Sequence, residues 1–148
     1  MAYLIDSNLL IYPFDDRDSA KQRKAKQVLD LLERQGTGVL PSQSLSEFAN
    51  VMLRKLKVPA SEVYVLVDKY EQSYSVLPLR ANIVLEAVRG VRDHHFAYYD
   101  SQIWATAKLN QISVVLSEDF ATASTVEAVT FLNPLVSDFD FDLLSGLT

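Results

Sequence analysis

Two apolar runs in this 148-residue chain stop abruptly at a carboxylate. Ala2-Tyr3-Leu4-Ile5 ends at Asp6-Ser7-Asn8, and Ser113-Val114-Val115-Leu116 leads into Ser117-Glu118-Asp119. Runs so short and so uniformly apolar suit strands buried on both faces, the condition of a parallel sheet covered by helices. The residue just past such a strand lies on the rim where open α/β sheets place their ligands. Aspartates at that rim point to a metal ion, a phosphate reaction, or both.

The rest of the chain fits the same architecture. Residues 19–35 carry Ala25, Val28, Leu29 and Leu32 on one helical stripe, and Gly36 supplies a C-cap. A second helix is expected over 42–56, with Leu45, Phe48, Ala49, Met52, Leu53 and Leu56 on its apolar side. Others are expected from Pro59 to about 72, over 80–92 and over 99–110. Strands are expected at 37–40, 74–77, 114–116 and 129–132, besides the first. Strands separated by one or two helices imply an α/β fold, a parallel sheet with helices on both faces. In the doubly wound order 3-2-1-4-5, strands one and four are neighbours, and Asp6 and Asp119 flank one crevice.

Composition sets outer limits. The length suits a single domain, 1–148, with an acidic tail at 135–148 that either frays or docks in extended form on a partner subunit. Cysteine is absent, which excludes disulfides, thiolate metal sites and thiol nucleophiles. Neither a membrane span nor a signal peptide is apparent, so a cytoplasmic protein is expected. The formal net charge of -5 argues against holding nucleic acid by bulk charge alone. Its distribution is uneven. Residues 17–92 carry 13 Lys and Arg against 8 Asp and Glu, and residues 93–148 one Lys against 8 Asp and Glu. A local basic face is compatible with this, as is a mixed solvated surface.

Four acids stand out: Asp6, Glu47, Asp100 and Asp119. Asp6 and Asp119 taken singly suit helix caps as well as ligand sites. Asp100 shares a helical face with Ile103, Trp104 and Ala107, so it heads a buried face, where a carboxylate needs a cation or backbone donors. Glu47 lies opposite the Leu45–Phe48–Met52 stripe, and periodicity alone makes it a solvated surface residue. Clustered carboxylates repel one another unless a hard cation such as Mg²⁺ or Mn²⁺ joins them. His94 and His95, the only histidines, precede the Asp100 helix and suit either a loop role or proximity to the site. Phosphate-binding glycine loops, nucleophile elbows and histidine zinc motifs are missing.

At these residues the chain resembles the PIN-domain family, in particular the VapC-type toxins of toxin–antitoxin systems. The resembling segments are YLIDSNLLIY, SLSEFANV, YYDSQIWATAKLN, and VVLSED followed by FLNPL, in that order. The resemblance implies a three-layer α/β/α fold with a five-stranded parallel sheet and Mg²⁺- or Mn²⁺-dependent cleavage of RNA. It implies Asp6 and Asp100 as primary metal ligands and Glu47 and Asp119 as the other catalytic acids, with Ser7 and Ser117 in support. It also implies a homodimer and a cognate antitoxin partner. Phe120–Ser124 departs from the family pattern, lacking its glycine turn and further acid, so a two-metal mechanism is not implied. Basic residues such as Lys21, Lys24, Arg54 and Lys57 are candidate RNA guides.

Two other readings compete. A phospho-acceptor receiver domain would need paired acids after the first strand, an acceptor Asp after the third and a Lys after the fifth. Asp6 has no adjacent acid, and Leu77-Pro78 and Asn133-Pro134 stand at the other two places. A PIN-like module without catalysis, binding RNA or protein, would keep the acids and lack turnover.

Overall fold

The structure is a computed structural model and describes residues 1–145. Strand β1 (Tyr3–Ile5) turns at Asp6 into the short helix α1 (Ser7–Ile11), and a 3₁₀ turn at Tyr12–Phe14 takes up Pro13. Helix α2 (Ser19–Gln35) is capped at its start by the Asp18 side chain, which accepts from Lys21 N–H, and at its end by Gly36 in the left-handed region at φ 68°. Then come β2 (Gly38–Pro41), α3 (Ser42–Arg54), α4 (Ala60–Ser73), β3 (Ser75–Leu77), α5 (Ala81–His94), α6 (Tyr98–Leu109) and β4 (Val114–Leu116). A hairpin of β5 (Thr125–Val126) and β6 (Val129–Leu132) follows, and a 3₁₀ turn at Phe141–Leu144 ends the described chain.

The sheet order is β3-β2-β1-β4-β6-β5. The five expected strands are parallel and in the expected order, with β6 as the fifth. The expected five-stranded, wholly parallel sheet needs one correction. A sixth strand, β5, pairs antiparallel on the β6 edge, with Val126 opposite Val129. Two residues are too few to show alternation, and Glu127 and Ala128 join the strands with φ of 47° and 68°, a geometry that Asn and Gly usually signal.

Alternation along the central strands separates the layers. Tyr3 and Ile5 point to α1–α4, packing with Leu9, Leu32, Phe48 and Met52, whereas Leu4 points to α5 and α6, with Ile83, Ile103, Trp104 and Phe131. Helices α5 and α6 approach closely because Gly90 has no side chain. A Cβ there would lie 2.3 Å from Ser101 Oγ and 2.8 Å from the Trp104 ring.

Over its described part the tail packs on the chain's own core. Leu135 and Leu144 are buried, Phe139 and Phe141 pack against the α2 side of the core, and the Tyr3 hydroxyl donates to Leu143 O at 3.1 Å. Alternating Phe and Asp let the rings face inward while the carboxylates stay in water. Asp140 also caps the final turn by accepting from Asp142 N–H. The last residues of the tail, 146–148, lie outside the described part.

Candidate active site

Asp6 ends the central strand, and its N–H donates to Leu116 O at 3.0 Å, so β1 and β4 end side by side. The residue is only 3% exposed. Its Oδ1 accepts from Ser7 N–H and its Oδ2 from the Ser117 hydroxyl, both at 2.7 Å. It therefore caps α1 and faces the rim at once. Burial pushes its carboxyl up to about 7, against the pull of those two hydrogen bonds, and the charges of Asp119 and Glu47 push the same way.

Ser117 links the two strand ends. Its hydroxyl donates to Asp6 and accepts from Asp119 N–H at 3.0 Å and from Asn8 Nδ2 at 3.3 Å. Asn8 Nδ2 also reaches Asp119 Oδ2 at 3.3 Å. No helix follows Asp119, so it caps nothing. It faces solvent at the rim, and its carboxyl is raised by partial burial and by Glu118 and Glu47, with the Asn8 contact pulling the other way.

Glu47 lies at the rim, although periodicity alone makes it a solvated surface residue. The Ser44 hydroxyl donates to Ile5 O at 2.8 Å and seats the first turn of α3 on the end of β1. That placement turns the polar side of α3 toward the rim. The Ser7 hydroxyl donates to Glu47 Oε2 at 2.8 Å, and Gln43 Nε2 donates to Oε1 at 2.5 Å. Gln43 in turn donates to Tyr99 O and accepts from Gln102 Nε2 at 2.8 Å, and Gln102 accepts from the Tyr98 hydroxyl. A chain of neutral side chains thus braces Glu47 between α3 and α6.

Asp100 lies half-buried in the first turn of α6, with its carboxyl raised by burial, then by Asp119 and Glu47. The four acids thus share one rim, and the carboxyls of Asp6, Asp100 and Asp119 are raised there, but the four do not converge. Among the described residues no group of three His, Asp or Glu side chains stands ready to hold a metal ion. Asp6 and Glu47 are fixed by two hydrogen bonds each, so closing a coordination shell falls to Asp100 and Asp119. The donor set suits a hard divalent cation, being all oxygen and mutually repulsive. A further buried acceptor, Asn8 Oδ1, has no partner among the described residues.

Other residues are placed away from the acids or at their edge. His94 pairs with Glu127 and packs edge-on against Trp104, and His95 ends α5 in the left-handed region at φ 61°. Lys21 reaches the rim by pairing with Glu118 at 2.9 Å, whereas Lys24 lies over the Phe141 ring. Arg17 and Lys55 line a cavity of about 180 Å³ with Asn8, Tyr12 and Glu118. Asn8, Gln43 and Gln102 were not singled out in the sequence. The available signal was polarity where a face is otherwise buried: Gln102 stands between Ser101 and Ile103 on a helix with few exposed positions.

A family model described as PIN domain matches residues 3–126. In sequence, no curated protein matches the chain. Solved structures similar to it include a toxin–antitoxin complex from Klebsiella pneumoniae, 18% identical with a TM-score of 0.64 over 90% of this chain and 98% of that one. The VapC20 toxin of Mycobacterium tuberculosis, which cleaves the sarcin–ricin loop, is 16% identical with a TM-score of 0.65, over 85% and 98% of the two chains. VapBC2 of Rickettsia felis, bound to a DNA fragment from its promoter, is 12% identical with a TM-score of 0.65, over 88% and 97%. At these identities the likeness speaks for the fold.

Proposed function

Because the chain belongs to the PIN domain family, we propose that it is a divalent-metal-dependent endoribonuclease, the toxin of a toxin–antitoxin pair. The observation that carries this reading is Asp6. It is a carboxylate almost wholly removed from water, with other acids beside it and no Lys or Arg among its hydrogen-bond partners. Its two hydrogen bonds offset only part of the cost of burial, and a bound cation would offset the rest.

Asp6 and Asp100 would be the main ligands of Mg²⁺ or Mn²⁺, with Glu47 and Asp119 completing the set. When bound, such an ion supplies Lewis acidity toward a phosphoryl oxygen and activation of water for attack. The protein's own contribution is positioning. Ser117 and the Ser7 N–H hold Asp6, while Ser7 Oγ and Gln43 hold Glu47, so neither acid has to be ordered when RNA arrives. Lys21, Arg17 and Lys55 stand on the α1 side of the acids, where cationic side chains favour the approach of a polyanion.

The proposal includes a homodimer, a cytoplasmic location and neutralisation by a cognate antitoxin. Likeness to toxin–antitoxin complexes supports the antitoxin. Among the described residues no helix is long and apolar enough to cross a membrane. The test compares RNA cleavage by the wild type, Asp6→Asn and Asp100→Asn, with Mn²⁺ and with EDTA. Cleavage is expected only from the wild type with Mn²⁺. Equal cleavage by the variants, or cleavage that survives EDTA, sinks the reading. Metal binding without turnover on any RNA would favour the non-catalytic module instead.

A further inference from the structure

The side of α3 opposite Phe48 and Met52 is polar at helical spacing. Gln43, Ser46, Glu47 and Asn50 stand three, four and seven residues apart and share one face. That face is one wall of a cavity of about 660 Å³, whose other lining residues are Ser42, Leu79, Tyr99 and Gln102. The size is that of a small-molecule site.

Its chemistry is distinctive. No Lys or Arg lines it, so nothing there neutralises a phosphate. Tyr99 is 67% exposed and Leu79 is 48% exposed, which leaves a flat aromatic ring and an aliphatic side chain open to water. Most polar groups of the wall are already engaged: Gln43 and Gln102 brace Glu47, and the Ser42 hydroxyl accepts from Leu79 N–H. Ser46 and Asn50, both exposed, remain available.

We propose that this cavity is a nucleobase subsite, in which one unpaired base of the RNA substrate stacks on Tyr99 and presents its polar edge to Asn50 and Ser46. The inference rests on the ribonuclease reading and adds the form of the substrate. Glu47 and Gln43 belong both to the cavity and to the acidic rim, and Tyr99 immediately precedes Asp100. A base seated here therefore belongs to a nucleotide next to the phosphodiester at the acids. A slot without cationic side chains, with one aromatic face and free hydroxyl and amide groups, suits a heteroaromatic ring with a hydrogen-bonding edge. A base in a helix must first be unstacked at a cost in free energy, whereas those of loops and single strands enter such a slot directly. A second class of occupant, an apolar side chain of a protein partner, would use Tyr99 and Leu79 and ignore Asn50.

The test is fluorescence anisotropy on the full chain in EDTA, so that binding is read without cleavage. The probes are fluorescein-labelled hexaribonucleotides of A, C, G and U, each with and without one internal abasic residue. Tyr99→Ala is expected to weaken binding of at least one probe by about 5- to 150-fold, Tyr99→Phe to retain it, and Asn50→Ala to change the ranking of the four bases. The abasic probe should bind wild type as weakly as the intact probe binds Tyr99→Ala, with no further loss when the two are combined. Tyr99 is exposed, and equal melting temperatures would confirm that the variants fold. Tyr99→Ala binding every probe as wild type does, or abasic losses identical in both proteins, overturns the subsite while leaving metal-dependent cleavage untouched. Unchanged RNA binding together with lost capture of the cognate antitoxin by Tyr99→Ala assigns the cavity to a protein and also overturns it. Tyr99-dependent binding without cleavage by the wild type upholds the subsite and removes the nuclease.

Discussion

The Ser7 hydroxyl donates to Glu47 across a gap of 40 residues in the chain, while the Ser7 N–H donates to Asp6. One residue of α1 therefore fixes two acids that arise from different elements. Its hydroxyl and its amide serve separate carboxylates, so the two roles can be taken apart by substitution.

Ser7→Ala keeps the amide and removes the hydroxyl. Asp6 stays capped and Glu47 loses one of its two donors. A hydrogen bond to a charged group is worth about 1.5–3 kcal/mol, so Mn²⁺-dependent RNA cleavage should fall about 10-fold or more in kcat/KM. Ser7→Thr should restore most of it. Steady-state kinetics on the three proteins decide the matter, and equal rates would mean that Glu47 needs no anchor.

Asp6 makes the metal-free protein sensitive to pH. Its folded-state pKa of about 7 lies above the ordinary value of 3.8. Between those values the folded state binds more protons than the unfolded chain, so stability falls as pH rises through that window. The shift corresponds to on the order of 4 kcal/mol. In EDTA the melting temperature should be higher at pH 5 than at pH 8, and Asp6→Asn should flatten that difference. Mn²⁺ should stabilise the wild type more at pH 8 than at pH 5, because protons compete for the same oxygen atoms. A wild-type profile as flat as that of Asp6→Asn would contradict the assignment.

The β5–β6 turn places Glu127 and Ala128 at positive φ, which is costly for residues with a Cβ. Glu127 offsets this by accepting from Arg89 and Lys108 and pairing with His94. Ala128 has no such compensation. Ala128→Gly should therefore stabilise the protein by about 1 kcal/mol, whereas Glu127→Gln should destabilise it by weakening three pairings together. Chemical denaturation of both variants gives the signs, and the same sign for both would refute this division of roles.

The parts legible in the sequence were those where periodicity and burial agree. Strands β1 and β4 are uniformly apolar and central, and the α2 stripe and its Gly36 cap follow local rules. Asp6 and Asp119 were legible as rim residues because a strand end fixes its own neighbourhood. Glu47 was legible only through the family resemblance and not from periodicity, because its polar side of α3 meets the rim through the Ser44 contact with Ile5, a tertiary fact. A tertiary fact also hides Gln43 and Gln102, which find each other across 59 residues of chain. Strand β5 escaped because its partner strand and ion pairs, rather than its turn residues, hold it. The tail escaped because its Phe–Asp alternation fits an edge, a partner or its own core equally well, and only the buried Leu144 decides between them.

The central position of β1 has a consequence for the timing of synthesis. Its partner β4 is made more than a hundred residues later, and Leu144, which joins the core on the Tyr3 and Ile5 side of the sheet, later still. While the chain is still growing on a ribosome, Asp6 has no Ser117 to hold it and the acidic rim is incomplete. The acidic rim therefore comes together only after β4 has been made and has docked beside β1.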